Sequence, residues 1–309
     1  MNREELKKLI QGPIATVPTA FDAQHEVDYG RMAELTQWWV ENGLVAGKAV
    51  IKVAAAMGEG PMLRDTEWPH LLRTVVQSAK GKAAVVCGIH YKDTVRTIED
   101  AKLAQDMGAI GLQISPPIFN LPTQDDLLHY YSDVSDAVDI GIMVYNTHWL
   151  VGGNVEPATI VKMKDFEHIV AIKWSVPEGQ NYDDMRLFSD TFNVIDNNST
   201  PGQCYRLGGK GYINLTAEVY PPHDLKIQEL LTAGKYDEAQ ALFDSTDKPL
   251  RAFYAKTSAK SGGQARVKKG MMEIMGHPMG ASRPPSAPLS KEEMAELRQI
   301  LMSFGWPVP

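Results

Sequence analysis

Eight times between residues 13 and 233 a short apolar run is followed by an amphipathic helical pattern. That alternation constrains the fold more than any other feature of the chain, because strands separated by helices pair in parallel and need cover on both faces. The runs are Pro13–Thr19, Lys48–Ala56, Ala83–Ile89, Ile110–Ser115, Ile140–Tyr145, Ile169–Trp174, Asn193–Asp196 and Tyr212–Leu215. The helical stretches cover 28–41, 66–79, 95–107, 125–137, 157–163, 182–190, 202–207 and 224–233. In the first of these, Met32, Leu35, Trp38 and Trp39 form one apolar face. Eight units predict an α/β fold of the closed (β/α)8 TIM-barrel kind. An open doubly wound sheet would want a G-x-G-x-x-G turn after an early strand, and the chain has none. Gly208-Gly209-Lys210-Gly211 lacks the Ser or Thr of a P-loop.

Past the eighth run the alternation stops. Helical patterns follow at 236–257, 264–275 and 291–304, the last opened by the capping box Ser290-Lys291-Glu292-Glu293. The expected division is a barrel over residues 1–232 and a C-terminal helical subdomain over 233–309.

Charge and cysteine content narrow the function classes. With 31 Lys and Arg against 38 Asp and Glu, a net charge of -7 argues against a nucleic-acid partner. Lys52 interrupts Ala49–Met57, the best membrane-span candidate, so no membrane partner is expected. Two cysteines, Cys87 and Cys204, make neither a disulfide framework nor a four-cysteine zinc site. A charged start without a signal-like apolar core completes the expectation of a cytoplasmic protein.

In such barrels the reactive groups lie at the C-terminal ends of the strands. Those ends carry Thr19, Met57-Gly58-Glu59, His90, Ser115, Tyr145, Lys173, Asp196-Asn197-Asn198 and Leu215-Thr216. Lys173 stands among apolar neighbours, where desolvation disfavours the ammonium and frees a neutral amine for imine formation with a ketone. The competing reading has it reach solvent or pair with Glu178. Tyr145 is either a rim packing residue or a proton shuttle beside that lysine. Lys52 shares strand parity with Ala54 and Ala56 and so could point inward; a salt bridge to the helix layer is the default expectation.

Taken together, these pieces resemble the dihydrodipicolinate synthase / N-acetylneuraminate lyase superfamily of class I, Schiff-base aldolases. Val17-Pro18-Thr19-Ala20-Phe21-Asp22 resembles its first-strand segment, and Gly58-Glu59 the end of its Gly-Thr-Thr-Gly-Glu loop. Leu103–Ala109 is similar to its third helix, Gly208–Gly211 with Ile213 to its eighth unit, and Arg283-Pro284-Pro285 to its Pro-rich segment. The most specific match is Tyr145-Asn146 followed, 28 residues after the tyrosine, by Lys173 of Ala171-Ile172-Lys173. The resemblance implies a homo-oligomer, commonly a tetramer or else a dimer, that acts on pyruvate or a larger 2-oxo acid with no metal and no organic cofactor. Lys173 would form the imine and Tyr145 would move protons.

The departures are equally specific. The family's paired threonines align with Ala56 and Met57, its relay tyrosine with Phe119, and its second-carboxylate arginine with Leu150. These changes argue against authentic dihydrodipicolinate synthesis. The expected substrate contacts are the backbone amides of Ala56, Met57 and Gly58, with Thr19, His148, Asn197 and Ile213. His148 is a candidate acid/base group, or an ordinary loop histidine. Asn197 and Asn198 are candidate hydroxyl binders, or turn and capping residues. Trp149 and Trp174 are a candidate aromatic wall, or loop packing. Aldol cleavage and dehydration both fit an imine centre. The alternative outside enzymes is a catalytically silent barrel that binds a 2-oxo acid as sensor or scaffold.

Overall fold

The computed structural model describes residues 1–309, and its eight strands close in sequence order into one parallel barrel. These are β1 (Gly12–Thr16), β2 (Val50–Val53), β3 (Ala84–Ile89) and β4 (Gly111–Ile114), then β5 (Gly141–Tyr145), β6 (Ile169–Trp174), β7 (Asn193–Asp196) and β8 (Gly211–Tyr212). The helices are α1 (Arg3–Leu9), α2 (Tyr29–Glu41), α3 (Glu67–Ala79), α4 (Thr94–Asp106), α5 (Gln124–Ala137) and α6 (Pro157–Lys162). After them come α7 (Pro201–Arg206), α8 (Pro221–Thr232), α9 (Tyr236–Ser258), α10 (Ala265–Ile274) and α11 (Lys291–Ser303).

The barrel seam is built from glycine. Gly12, at φ +74°, and Gly211 pair across β1 and β8. A Cβ on Gly12 would stand 2.2 Å from the Lys48 carbonyl oxygen, and one on Gly211 2.5 Å from that of Gly12. No other residue closes the ring there.

The sequence pattern did not foresee α1. A capping box between Asn2 and Glu5 starts it, and the Arg3 guanidinium ties it to the carbonyls of Lys164, Phe166 and Glu167. Leu6 and Ile10 pack with Ile14, Val50, Met143 and Val170, so this end of the barrel is plugged with side chains. β8 is two residues long, against the expected four. Asn214 turns its side-chain oxygen onto the Leu215 amide (2.7 Å) and its side-chain nitrogen onto Asp224 (3.0 Å), which draws the chain out of the ladder after Tyr212. The helix expected over 182–190 is a 3-10 turn, Tyr182–Leu187, started by the Asn181 side chain accepting from the Asp183 amide.

Lys52 corrects the expectation of a salt bridge to the helix layer. Its inward parity holds: the side chain is buried in the barrel, donates to Gln113 Oε1 at 2.6 Å and meets no carboxylate.

The boundary expected at 232/233 falls in the turn between α8 and α9. Across it the packing is continuous, with Leu250, Phe253, Val267, Met271 and Leu301 in the same hydrophobic cluster as the strands. Three ion pairs add to this. Lys268 pairs with Glu218, both completely buried; Lys269 pairs with Glu59 at 2.7 Å and Arg283 with Glu67 at 2.7 Å. No helix is long and apolar enough to cross a membrane.

Candidate active site

Lys173 is the last inward-pointing residue of β6, level with Tyr145 on β5 and Ile195 on β7. Every residue of β6 is buried. The Lys173 nitrogen makes no ion pair, with Glu178 or any other carboxylate, and it does not reach bulk solvent: the residue is 5% exposed. It lies 3.6 Å from the centre of the Tyr145 ring. Burial pulls its pKa down to about 7, helped by the nearby charge of Lys268. Near neutrality a large share of the amine is therefore unprotonated and nucleophilic. Burial, with a smaller contribution from Tyr91, pushes the Tyr145 phenol above its ordinary value, so the hydroxyl keeps its proton and acts as a donor.

Lys173 and Tyr145 open onto a cavity of about 460 Å³. Met57, Asn197 and Ile213, three of the candidate substrate contacts, stand in its wall. Ala56 lines a neighbouring cavity of about 330 Å³ that shares Tyr145 and Trp149. Ala56, Met57 and Gly58 form one 3-10 turn, and the Thr19 hydroxyl braces it by donating to the Gly58 carbonyl at 2.7 Å. Thr19 is therefore engaged with the loop and is absent from the cavity wall. The Gly58 amide is likewise engaged, with the Ala55 carbonyl at 2.8 Å. The first amides of a helical turn lack an acceptor within it, and here those belong to Ala56 and Met57.

His148 is half-buried and outside both cavity walls. It packs edge-on against Trp149 (5.0 Å between ring centres), which in turn packs against Tyr145 (5.6 Å). Burial lowers its pKa, which favours the neutral ring. Of the two tryptophans, Trp149 lines the cavity. Trp174 does not: it is fully buried, packs on Phe188 and donates to the Tyr182 carbonyl at 3.1 Å. The Asn198 amide donates to Asp196, the turn reading of that residue.

The sequence analysis missed Arg251, Tyr254 and Gln264, which bring the C-terminal helical region into the cavity wall. No spacing connects them to the strand ends, so no pattern could have found them. It also passed over Tyr91, the second residue after β3, which stands at φ +61° and shares the smaller cavity with Tyr145. His90 is half-buried, with Nδ1 2.7 Å from Ser115 Oγ and Nε2 unpartnered; desolvation, with the charges of Lys173 and Lys52, holds it neutral, with a pKa of about 3. No three His, Cys, Asp or Glu side chains converge as a metal-ligand group would.

Relatives of the chain share this architecture. It is 28% identical over 294 residues to the 4-hydroxy-tetrahydrodipicolinate synthase of Heliobacterium modesticaldum, covering 94% of this chain and 95% of that one. To the enzyme of the same name from Methanococcus maripaludis it is 25% identical over 298 residues, covering 96% and 99%. The crystal structure of dihydrodipicolinate synthase from Aquifex aeolicus superposes with a TM-score of 0.85 over 97% of this chain and 99% of that one; at 24% identity this speaks to the fold. The family model described as the dihydrodipicolinate synthetase family matches residues 9–303. With the barrel, the strand-end lysine and tyrosine and a match over nearly the whole length, the chain belongs to the dihydrodipicolinate synthetase family, whose chemistry is of the aldolase type.

Proposed function

We propose that the protein is a lyase that joins Lys173 to a 2-oxo acid as an imine and then cleaves or dehydrates the bound substrate, and that it does not serve as a dihydrodipicolinate synthase. One observation carries this reading: a buried amine without a carboxylate partner, held over the Tyr145 ring and open to a cavity of about 460 Å³.

The neutral amine attacks the substrate's C2 carbonyl carbon, and the carbonyl oxygen takes up a proton to give a carbinolamine. Loss of water then leaves a protonated imine. Its positive nitrogen accepts the electron pair released when the C3–C4 bond breaks, or when a C3 proton leaves ahead of a hydroxyl group. The Tyr145 hydroxyl, which keeps its proton, donates to the departing oxygen and takes a proton back. The substrate carboxylate fits the amides of Ala56 and Met57 in place of lost side-chain hydroxyls. Leu150 and Phe119 provide neither the charge nor the phenol that their places in the family would hold, which is what sets dihydrodipicolinate synthesis aside.

A homo-oligomer, dimer or tetramer, belongs to the same proposal. Phe119 and Val151 are 84% and 79% exposed, and Gly152 brings their two loops together against Leu121 and Pro122. A contiguous apolar patch of this kind fits a protein interface.

Incubation with pyruvate and borohydride, read by mass spectrometry, tests the enzyme reading. The expected product is one adduct on the peptide that holds Ile172-Lys173-Trp174, lost in Lys173→Ala. No adduct, or one on Lys52 or Lys210, overturns it and leaves the silent binder.

A further inference from the structure

Lys173 and Arg251 are the only charged residues in the wall of the imine cavity, which contains no carboxylate. Arg251 comes from α9, the far side of the mouth in chain terms, and nothing in the strand-end chemistry requires it. Its Nε donates to Asp247 Oδ2 at 2.6 Å, one helical turn earlier. That is the only hydrogen bond the guanidinium makes within the protein, so both terminal nitrogens are left unpaired. Asp247 is 2% exposed, with its Oδ1 unpartnered, and its burial beneath the Arg251 side chain, itself 56% exposed, gives the guanidinium one acceptor on the protein side. The guanidinium is thus oriented but not consumed, as a planar fork prepared for a carboxylate would be.

The size of the cavity agrees. Some 460 Å³ lies within the range of sites that hold ligands far larger than pyruvate. Asn197, Gln264 and Tyr254 also contribute to the wall, and they are polar without being charged.

We infer that Arg251 binds a second carboxylate at the far end of the substrate, making the substrate a dicarboxylic 2-oxo acid. A phosphate, at nearly two negative charges, asks for more than one arginine already half-compensated by Asp247; a single carboxylate matches it. The inference rests on the imine reading for the near end of the substrate. It assigns to the C-terminal region a part in specificity that no strand end carries.

The test uses 2-oxoglutarate and 2-oxovalerate, equal in chain length and differing at the end as carboxylate against methyl. Half-saturating concentrations for borohydride trapping are compared in the wild type, Arg251→Gln, Arg251→Lys and the control Arg206→Gln. Arg206 pairs with Asp237 on the surface. The wild type is expected to favour 2-oxoglutarate by at least about tenfold, in line with a charge-assisted pair. Arg251→Gln should bring the ratio close to one, Arg251→Lys should keep part of it, and Arg206→Gln should match the wild type. A wild-type ratio within about twofold of one, or a ratio that survives Arg251→Gln, overturns the inference. If neither acid is trapped, the imine reading fails, and calorimetric titration with the same two acids decides the Arg251 assignment separately: equal affinities overturn it, and a preference for 2-oxoglutarate lost in Arg251→Gln sustains it.

Discussion

The Lys173 nitrogen rests on the face of the Tyr145 ring, 3.6 Å from its centre, with no hydrogen bond to the tyrosine hydroxyl. The ring face favours the ammonium, but burial, helped by the charge of Lys268, disfavours it and brings the pKa down to about 7. On the proposed mechanism the two functions of the tyrosine are thereby separated: the ring shapes the amine's surroundings, and the hydroxyl is left for the substrate.

Tyr145→Phe removes one of those functions and keeps the other. Turnover is expected to fall by roughly a hundredfold or more, within the range of general acid–base groups. Imine formation should survive at a reduced rate. Loss of trapping in Tyr145→Phe, measured against wild type at saturating 2-oxo acid, would mean that the hydroxyl is needed before the imine forms.

His148→Asn should have a much smaller effect, because Trp149 stands between His148 and Tyr145. The expected change in turnover is within about threefold, with the acidic limb of the pH–rate profile in place. A profile flattened at low pH in this variant would restore His148 as an acid/base group.

The depressed lysine also sets two pH dependences. Imine formation needs the neutral amine, so the trapping rate should rise with pH and reach half its plateau near 7. Stability runs in the same direction. Between about 7 and the ordinary lysine value of 10.5 the unfolded chain holds a proton that folded Lys173 has lost, so stability rises with pH across that window. Denaturant titrations at pH 7 and 10 should show a slope that Lys173→Met reduces. Lys52, lowered by burial and by Lys173, and Lys269, lowered by burial, add slope in the same direction, while the buried Cys87 and Cys204 thiols, raised by burial, oppose it near pH 10.

Condensation of pyruvate with aspartate semialdehyde should be slower than in an authentic synthase by about a hundredfold or more, the cost of a missing bidentate arginine contact. Leu150 has no charge to offer a second carboxylate at that wall. Robust synthesis in a coupled assay would show that another group, with Arg251 the first candidate, substitutes for it.

The fully buried pair of Lys268 and Glu218 anchors α10 to the barrel, with Lys268 also donating to the Thr16 carbonyl at 3.1 Å. Lys268→Met should cost about 3–5 kcal/mol in chemical denaturation, because Glu218 is left as an uncompensated buried charge. Lys268→Met combined with Glu218→Leu should recover much of that loss, since a matched apolar pair carries no desolvation penalty.

Sequence alone determined the barrel and the strand-end placement of Lys173 and Tyr145, because both are local. Each strand is a short apolar run and each helix a repeating apolar face, so β6 and the positions of Lys173 and Tyr145 at strand ends were legible without coordinates. Strand parity likewise predicted that Lys52 could point inward. Tertiary structure decided what each side chain meets. Gln113, 61 residues from Lys52, satisfies that lysine where a salt bridge was expected, and a ring of parallel strands is what brings them together. Thr19 faces the Gly58 carbonyl, Trp174 the core and His148 the outer side of Trp149, because packing, not spacing, sets side-chain direction at loop ends. The far wall of the cavity, with Arg251 and Tyr254 of α9 and Gln264 in the turn before α10, comes from a region that carries no periodic link to the strands. Burial of the shared apolar surface folds that region back onto the barrel, and only that long-range packing places Arg251 in the same cavity wall as Lys173.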